Sequence, residues 1–354
     1  VRTETQFKEV FYKVMHLLKA KATLDDYFDI NRRYINTTEI IQFSDSTVQL
    51  DLLPKYFLLP AIDSLFALAF QKAQHLHDDV PLTVICAALT FDEKAIIGEL
   101  NKQLGTNITT IDAVFCEAQK ARYKRFNQLI DDKFSDDKLL SLLDWFEVRA
   151  DNEINNLVTD NADIPTIFEY ILGIIWYKIS NRKGRILDYL KLSLDANLLP
   201  VTHAAGGDAD IVYEYEQTDR YPAHSLLIEA TLADSNNQRR MEMEPVSRHL
   251  GNHLLANHNF NSYCVFITNY LHINVISDFR NRKHAIYYDP QNEDNFIETM
   301  KILPIETSDL KIIIHHHITY DRLYGHFDAA YKTEEMRPRI WHNNFVKIQN
   351  ADLV

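Results

Sequence analysis

The spacing of apolar residues changes along the chain, and each change marks a different kind of structure. Phe7, Val10, Phe11, Val14, Leu17 and Leu18 recur at three- and four-residue steps, the period of one helix face. Thr38–Phe43 and Thr47–Leu52 then read as two strands joined by the turn residues Ser44-Asp45-Ser46. This helix and hairpin predict a partial winged-helix-like unit. Residues 59–160 carry helical spacing. Asp92 is placed to cap a helix starting at Glu93 and Gly105 to end it, followed by helices over Thr110–Phe134 and Asp136–Val148. From about Asn161 the texture alternates. A helix at Pro165–Ser180 precedes strands at Asp210–Glu216, Ser225–Leu232 and Tyr263–Thr268, with a helix over Asn237–His258 between the last two. Further strand-like runs lie at Ala285–Tyr288 and Lys311–His316, before a last helix after Thr319. Strands alternating with helices predict an α/β domain. The expected division is 1–58, 59–160 and 161–354, with no internal repeat.

Composition narrows the class. A chain of 354 residues that is 46% hydrophobic can build two or three ordinary cores. Its longest apolar segment, Ile171–Ile179, is interrupted by Gly173 and Lys178, so it reads as a buried helix rather than a membrane span. No basic-plus-apolar leader is seen, and Val1 in place of Met reads as a fragment or a processed chain. Cys86, Cys116 and Cys264 sit in apolar runs without metal-ligand spacing, which predicts reduced, buried thiols and a cytoplasmic setting. A net charge of −13 argues against tight, non-specific nucleic-acid binding by this chain alone. It leaves room for an enzyme whose metal ions need carboxylates. Lys120, Arg122, Lys124 and Arg125, with Tyr123 and Phe126 between them, read first as a solvated helix face and second as a DNA-backbone contact.

The chemistry concentrates in residues 200–250. Gly206-Gly207 precede Asp210, and the apolar run Leu226-Leu227-Ile228 ends in Glu229. A carboxylate that closes a buried strand is costly unless a cation or a donor meets it. Glu229 and Thr231 share one strand face while Ile228 and Ala230 share the other. With Asp210 on the neighbouring strand, two carboxylates can converge on a hard divalent cation. Glu242 and His249 are two helical turns apart and so occupy one face; Glu244 and Arg248 pair on another. Pro245 predicts a kink or a boundary there. Glu242 suits a further ligand or an orienter of attacking water, and His249 a general base or a holder of a carboxylate. Taken singly, Asp210 reads as a turn residue, Glu229 as a salt-bridged strand end and His249 as an ordinary helix histidine. The order is more specific: Gly-rich turn, Asp, apolar strand ending in Glu, then a helix with Glu and His. It is the signature of the PD-(D/E)XK nuclease core, a mixed-sheet α/β fold.

The segments PVTHAAGG with Asp210, IEAT with Glu229 and QRRMEMEPVSRHL resemble the AlwI family of type II restriction endonucleases, which includes type IIS enzymes and strand-nicking large subunits. The resemblance implies Mg²⁺ held by Asp210, Glu229 and the Ala230 carbonyl, with Glu242 and His249 completing the site. It adds Glu169, in TIFEYILG, on the helix that opens the catalytic domain; the plainer alternative is a carboxylate favoured by a helix N-terminus. His203 would support the site through a hydrogen bond. Thr231 stands where the superfamily has Lys, leaving Gln238, Glu242 and His249 as candidates to stabilise developing charge. INTTEIIQFSDSTVQLDLLPKYF is similar to the end of the family's DNA-recognition region, making 1–58 its remnant, 59–160 a helical linker and 161–354 the catalytic domain. The implied activity is hydrolysis of double-stranded DNA, type IIS-like, with a second catalytic centre from a homodimer or a small partner subunit. The alternatives are a nicking subunit of a heterodimer, a non-catalytic DNA-binding or assembly subunit with a degenerate site, and a PD-(D/E)XK nuclease of repair or mobile elements. His315-His316-His317 read as a strand end, since consecutive strand residues cannot face one ion.

Overall fold

The structure is a computed structural model. It describes residues 2–17, 19–21, 23–24, 27, 31, 34–35, 38, 40–43, 48–69, 80–90, 92–203, 209–233, 238 and 242–349. The chain divides into two compact units, Val1–Gln128 with Leu194–Leu199, and Leu129–Ser193 with Pro200–Val354.

In the first unit, helix α1 (Glu4–Tyr12) starts where the Thr3 side chain accepts the Gln6 amide. Its Phe7 and Phe11 rings stack at 5.8 Å, yet the helix buries none of its residues. Strands β1 (Ile41–Phe43) and β2 (Val48–Leu50) pair antiparallel with Ile41 opposite Leu50. The predicted turn Ser44-Asp45-Ser46 lies outside the described residues. The second strand is shorter than expected because Leu52 already opens helix α2 (Leu52–Leu58). In α3 (Glu93–Leu104), Asp92 caps by accepting the Ala95 amide at 3.0 Å, and Gly105, at φ 66°, ends the helix as predicted. Helix α4 (Ile111–Lys133) carries the basic stripe. Two of its cations are occupied: Lys120 by Glu117 at 2.6 Å, and Arg125 by Asp51 and the Ala196 carbonyl. Cys116 on this helix is exposed, contrary to the expectation of three buried thiols; Cys86 and Cys264 are buried.

The second unit holds helices α5 (Asp136–Val148) and α6 (Ile164–Ile179), strands β3 (Ile211–Tyr215) and β4 (His224–Thr231), helix α7 (Met243–Asn257), strand β5 (Tyr263–Thr268) and helix α8 (Ile273–Asn281). A hairpin of β6 (Tyr287–Asp289) and β7 (Asn292–Ile297), strand β8 (Ile302–Glu306), and helices α9 (Thr307–His315) and α10 (Tyr320–Lys332) follow. Four strands form one mixed sheet in the order β8-β5-β4-β3, with β3 antiparallel to β4 and the other two pairs parallel. Parallel strands covered on both faces need continuous apolar runs. β5 is accordingly buried along its whole length, and β4 from His224 to Glu229. Pro245 lies in the first turn of α7, so it marks the boundary of that helix rather than a kink.

Two expectations are corrected in the carboxy-terminal part. Lys311–His316 is not a strand: Lys311 to His315 belong to α9, whose start is a capping box of Glu306 and Asp309. Lys311 ties that helix to α5 through Asp144 and Glu147. The three histidines therefore close a helix, with His317 at φ 50°. The real strand, β8, contains Pro304, a residue that argues against a central strand; β8 is an edge, where proline is tolerated. Beyond it, the buried Arg280 guanidinium donates to the carbonyls of Tyr331, Thr333 and Glu335 and lies over the Trp341 ring. At the amino-terminal end of β4, His224 Nε2 meets the Tyr320 hydroxyl at 2.6 Å, and Tyr215 stacks on Tyr320 at 3.7 Å. Among the described residues, no helix is long and apolar enough to cross a membrane.

Two helical glycines of this unit differ in what surrounds them. A Cβ on Gly251, in α7, would meet the Tyr287 ring at 2.4 Å, whereas one on Gly325, in α10, would meet nothing within 4 Å. Gly251→Ala is expected to destabilise by about 1–3 kcal/mol through overpacking. Gly325→Ala is expected to stabilise by about 0.4–1 kcal/mol through the unfolded state. Denaturant midpoints of the two variants check this pair; equal midpoints would contradict the packing of α7 on the hairpin.

Candidate active site

Register builds the site. Ile211 pairs with Ile228 across β3 and β4, so continuing the antiparallel ladder sets Asp210 opposite Glu229. Directly opposed residues hold their Cβ atoms about 4.5–5.5 Å apart. Asp210 is fixed there by its Oδ2, which accepts the Ala230 amide at 2.8 Å. The Gly206-Gly207 turn expected just before it lies outside the described residues.

Glu229 ends the buried part of β4 and is only 6% exposed. His249, on the second turn of α7, places Nδ1 2.7 Å from Glu229 Oε1, within hydrogen-bonding distance. Glu242 is the residue at the N-cap of α7 rather than a residue inside it. Its carboxylate takes a hydrogen bond from the Thr231 side chain. Thr231, singled out in the sequence, thus turns its hydroxyl to Glu242.

Glu169 lies in the second turn of α6, a helix buried along nearly its whole length. Asp163 is the group that caps that helix, accepting the Thr166 amide. Glu169 is therefore not a first-turn carboxylate held by the helix dipole. It is 8% exposed, and its Oε2 is buried without a hydrogen-bond partner. Such an atom costs about 1–3 kcal/mol or more unless something satisfies it.

The four carboxyl groups sense one another. Burial pushes Glu169 up to about 8, with the charges of Asp163 and Glu229 adding to it. Burial also holds Asp210 well above the usual carboxylate range, reinforced by Glu169, Glu229 and Glu242. Glu229 is raised by burial, against the lowering influence of His249 and Arg248. Glu242 is raised by burial and by Glu229, while Thr231 opposes the shift. Among the described residues, no lysine or arginine hydrogen-bonds any of the four, and no group of three or more His, Cys, Asp or Glu side chains is disposed to hold a metal ion by itself.

Two expected supporting residues do other work. Gln238 is fully buried, and its amide is consumed: Nε2 donates to the Tyr270 carbonyl and to Thr268 Oγ1, and Oε1 accepts the His272 amide. It staples the approach to α7 onto the end of β5 and has no group left for developing charge. His203 is exposed and bonds none of the site residues. Sequence reasoning missed the contact of Thr231 with Glu242, because it links residues whose separation carries no periodic signal.

The family model of the AlwI restriction endonuclease matches residues 2–313. A search of curated proteins returns no match. Among solved structures, the chain is similar to the small subunit of the heterodimeric restriction endonuclease R.BspD6I, at 18% identity and a TM-score of 0.41, over 57% of this chain and 95% of that one.

The raised carboxyl groups set the pH dependence of stability. A folded-state value above the unfolded one means the folded protein binds more protons in between, so stability falls as pH rises. For Glu169 the window runs from its ordinary value of 4.5 to about 8. With EDTA present, the melting temperature should decline from pH 5 to pH 8, and Glu169→Gln should flatten part of that decline. A flat melting profile for the unsubstituted protein would contradict the burial of these groups.

Proposed function

The chain belongs to the AlwI restriction endonuclease family, and from that premise we propose that it is a Mg²⁺-dependent endonuclease whose centre is formed by Asp210, Glu229, Glu242, His249 and Glu169. The observation that carries the reading is the gathering of four carboxyl groups from four separate elements, with mutually raised affinities for protons and an orphaned oxygen on Glu169. A protein that buries like charges together stabilises them with a cation or loses stability.

The donor set fits Mg²⁺. This ion keeps several waters and binds through one or two carboxylates together with substrate phosphate, so a full cage of three side chains is not required. Asp210 and Glu229 are the two carboxylates. In a strand, a residue's amide and carbonyl face the same neighbour. The Ala230 amide faces Asp210, so its carbonyl is turned toward that side as well and suits the third ligand. Bound there, Mg²⁺ would polarise a phosphodiester and lower the pKa of a coordinated water.

The chain's own groups divide the remaining work. His249 orients Glu229 by holding Oε1, leaving Oε2 for coordination. Glu242, raised by burial and set by Thr231, is suited to take a proton from attacking water. Glu169, beside Asp210, would give up its proton and add negative charge when a cation binds, strengthening the site's preference for a divalent ion. The substrate is double-stranded DNA and the cleavage type IIS-like. One such centre cuts one strand, so a double-strand break draws a second centre from another copy or from a small partner subunit.

Asp210→Asn and Glu229→Gln should each lower cleavage by at least about 10²–10⁴-fold, without lowering the melting temperature. His249→Ala should cost about 10–100-fold, as a group that orients a ligand. Conversion of supercoiled plasmid in Mg²⁺ checks all three, with nicked circles appearing before linear DNA. Wild-type cutting by Asp210→Asn would overturn the assignment. The variants' melting temperatures should also respond less to added Mg²⁺ than that of the unsubstituted protein.

A further inference from the structure

A polar cavity opens at the same end of the sheet. It has a volume of about 290 Å³ and lies between the start of α8 and the turns at residues 338–347, with Arg339, Lys347, His342 and His272 among its lining residues. Its distance from the carboxyl cluster follows from register. Thr231 pairs with Thr268, and Thr268 with Glu306, a further lining residue. Two strand spacings separate Thr231 from Glu306, about 10 Å.

The charges in this cavity are opposite to those of the cluster. Glu306 is its carboxylate, and Lys347 already pairs with it at 3.1 Å. Arg339 is exposed and makes no hydrogen bond or ion pair among the described residues. His342 is 4% exposed, and its Nε2 is buried without a partner. The N-terminus of α8, a nine-residue helix capped by His272, adds the positive end of its dipole. An unpaired guanidinium, an unsatisfied imidazole nitrogen and a helix N-terminus are chemistry for an oxyanion. In a chain of net charge −13, so local a positive site selects a ligand by position rather than by overall attraction.

We propose that this cavity binds a phosphodiester of the DNA backbone near the scissile position, with Arg339 as its principal contact. Phosphates of one strand rise about 3.4 Å apart along the duplex axis, so about 10 Å corresponds to one to three nucleotides from the cut. The cavity would then fix the substrate's register on the enzyme, since backbone contacts position a duplex without reading its sequence. Gln238 joins the two places, because its amide bonds Tyr270 and His272 of the cavity while its carbonyl accepts the Glu242 amide of the cluster. The proposal rests on the nuclease reading for the identity of the ligand, although the binding itself is measured without cleavage.

The test is binding of a fluorescent 30-base-pair duplex in EDTA, where nothing is cut, across a series of salt concentrations. Arg339→Gln should raise Kd several-fold and make the slope of log K against log salt shallower by about 0.9, the signature of one lost phosphate contact. In Mg²⁺ it should raise KM and leave kcat within about twofold. Unchanged Kd and slope would overturn the proposal. So would an equal loss in Lys332→Gln, an exposed charge outside the cavity, because the effect would then be general. A third arm titrates inorganic phosphate: if Arg339→Gln loses phosphate binding while duplex binding stays intact, the site serves free phosphate and the DNA assignment falls. Failure of the nuclease reading looks different, as absent cutting by the unsubstituted protein with duplex binding preserved.

Discussion

The structure of the second unit turns on the expense of holding Asp210, Glu229, Glu242 and Glu169 close together out of water. Two unit charges about 5 Å apart at an effective dielectric of about 20 repel by about 3 kcal/mol. Several such pairs amount to a large share of the stability of a domain. The protein meets part of this with donors aimed at single oxygens: the Ala230 amide on Asp210, His249 on Glu229, Thr231 on Glu242. It leaves Glu169 Oε2 with none. Protonation supplies the rest in the bare protein, which is why all four groups are shifted upward. A cation does the same with higher charge and fixed geometry.

That expense is tolerable because the sheet concentrates it at one edge. The parallel pairs β4–β5 and β5–β8 end together at Thr231, Thr268 and Glu306. Their apolar runs sit toward the middle, so the polar groups collect where the strands stop. The antiparallel neighbour β3 enters from the other direction and brings Asp210 to that edge from its amino-terminal end. One strand reversal thus supplies a carboxylate that an all-parallel arrangement would have placed at the far edge. The opposite end of β4 carries His224 in a nest of tyrosines, where burial holds its imidazole down at about 4 and therefore neutral. The carboxyl cluster and this aromatic nest thus occupy opposite ends of the same strand.

Much of this was legible wherever local rules decide. Asp92 and Gly105 bracket α3 because capping needs only neighbours in sequence. The run ending in Glu229 declared a buried strand, and its odd polar terminus declared a site. Reading failed where long-range structure overrode the local signal. Ile312-Ile313-Ile314 looks like a strand by composition, but the Glu306–Asp309 capping box and the ties of Lys311 to α5 make it a helix. Pro304 concealed β8, since edge position is a property of the finished sheet and not of the sequence. Gln238 looked like a catalytic amide until its partners at Thr268, Tyr270 and His272 were in place. Its burial depends on residues thirty or more positions away.

The threonine at 231 sharpens the electrostatic argument. A lysine there would put a positive charge two residues from Glu229 on the same strand face and offset one carboxylate outright. Thr231 offers only a hydroxyl, and that hydroxyl is turned to Glu242. The cluster therefore has no lysine among its own groups to offset its carboxyl groups. On the proposed reading this has two consequences that pull in opposite directions. Attraction for a divalent ion increases, because nothing built in competes with it, and stabilisation of the developing phosphorane charge falls to that ion and to whatever holds the neighbouring backbone. A positive cavity about two strands away suits the second task poorly, being too distant to touch the reacting phosphate, but it suits the alignment of the strand that carries it. The hydroxyl at 231 and the arginine two strands away would then answer separate problems, one electronic and one positional.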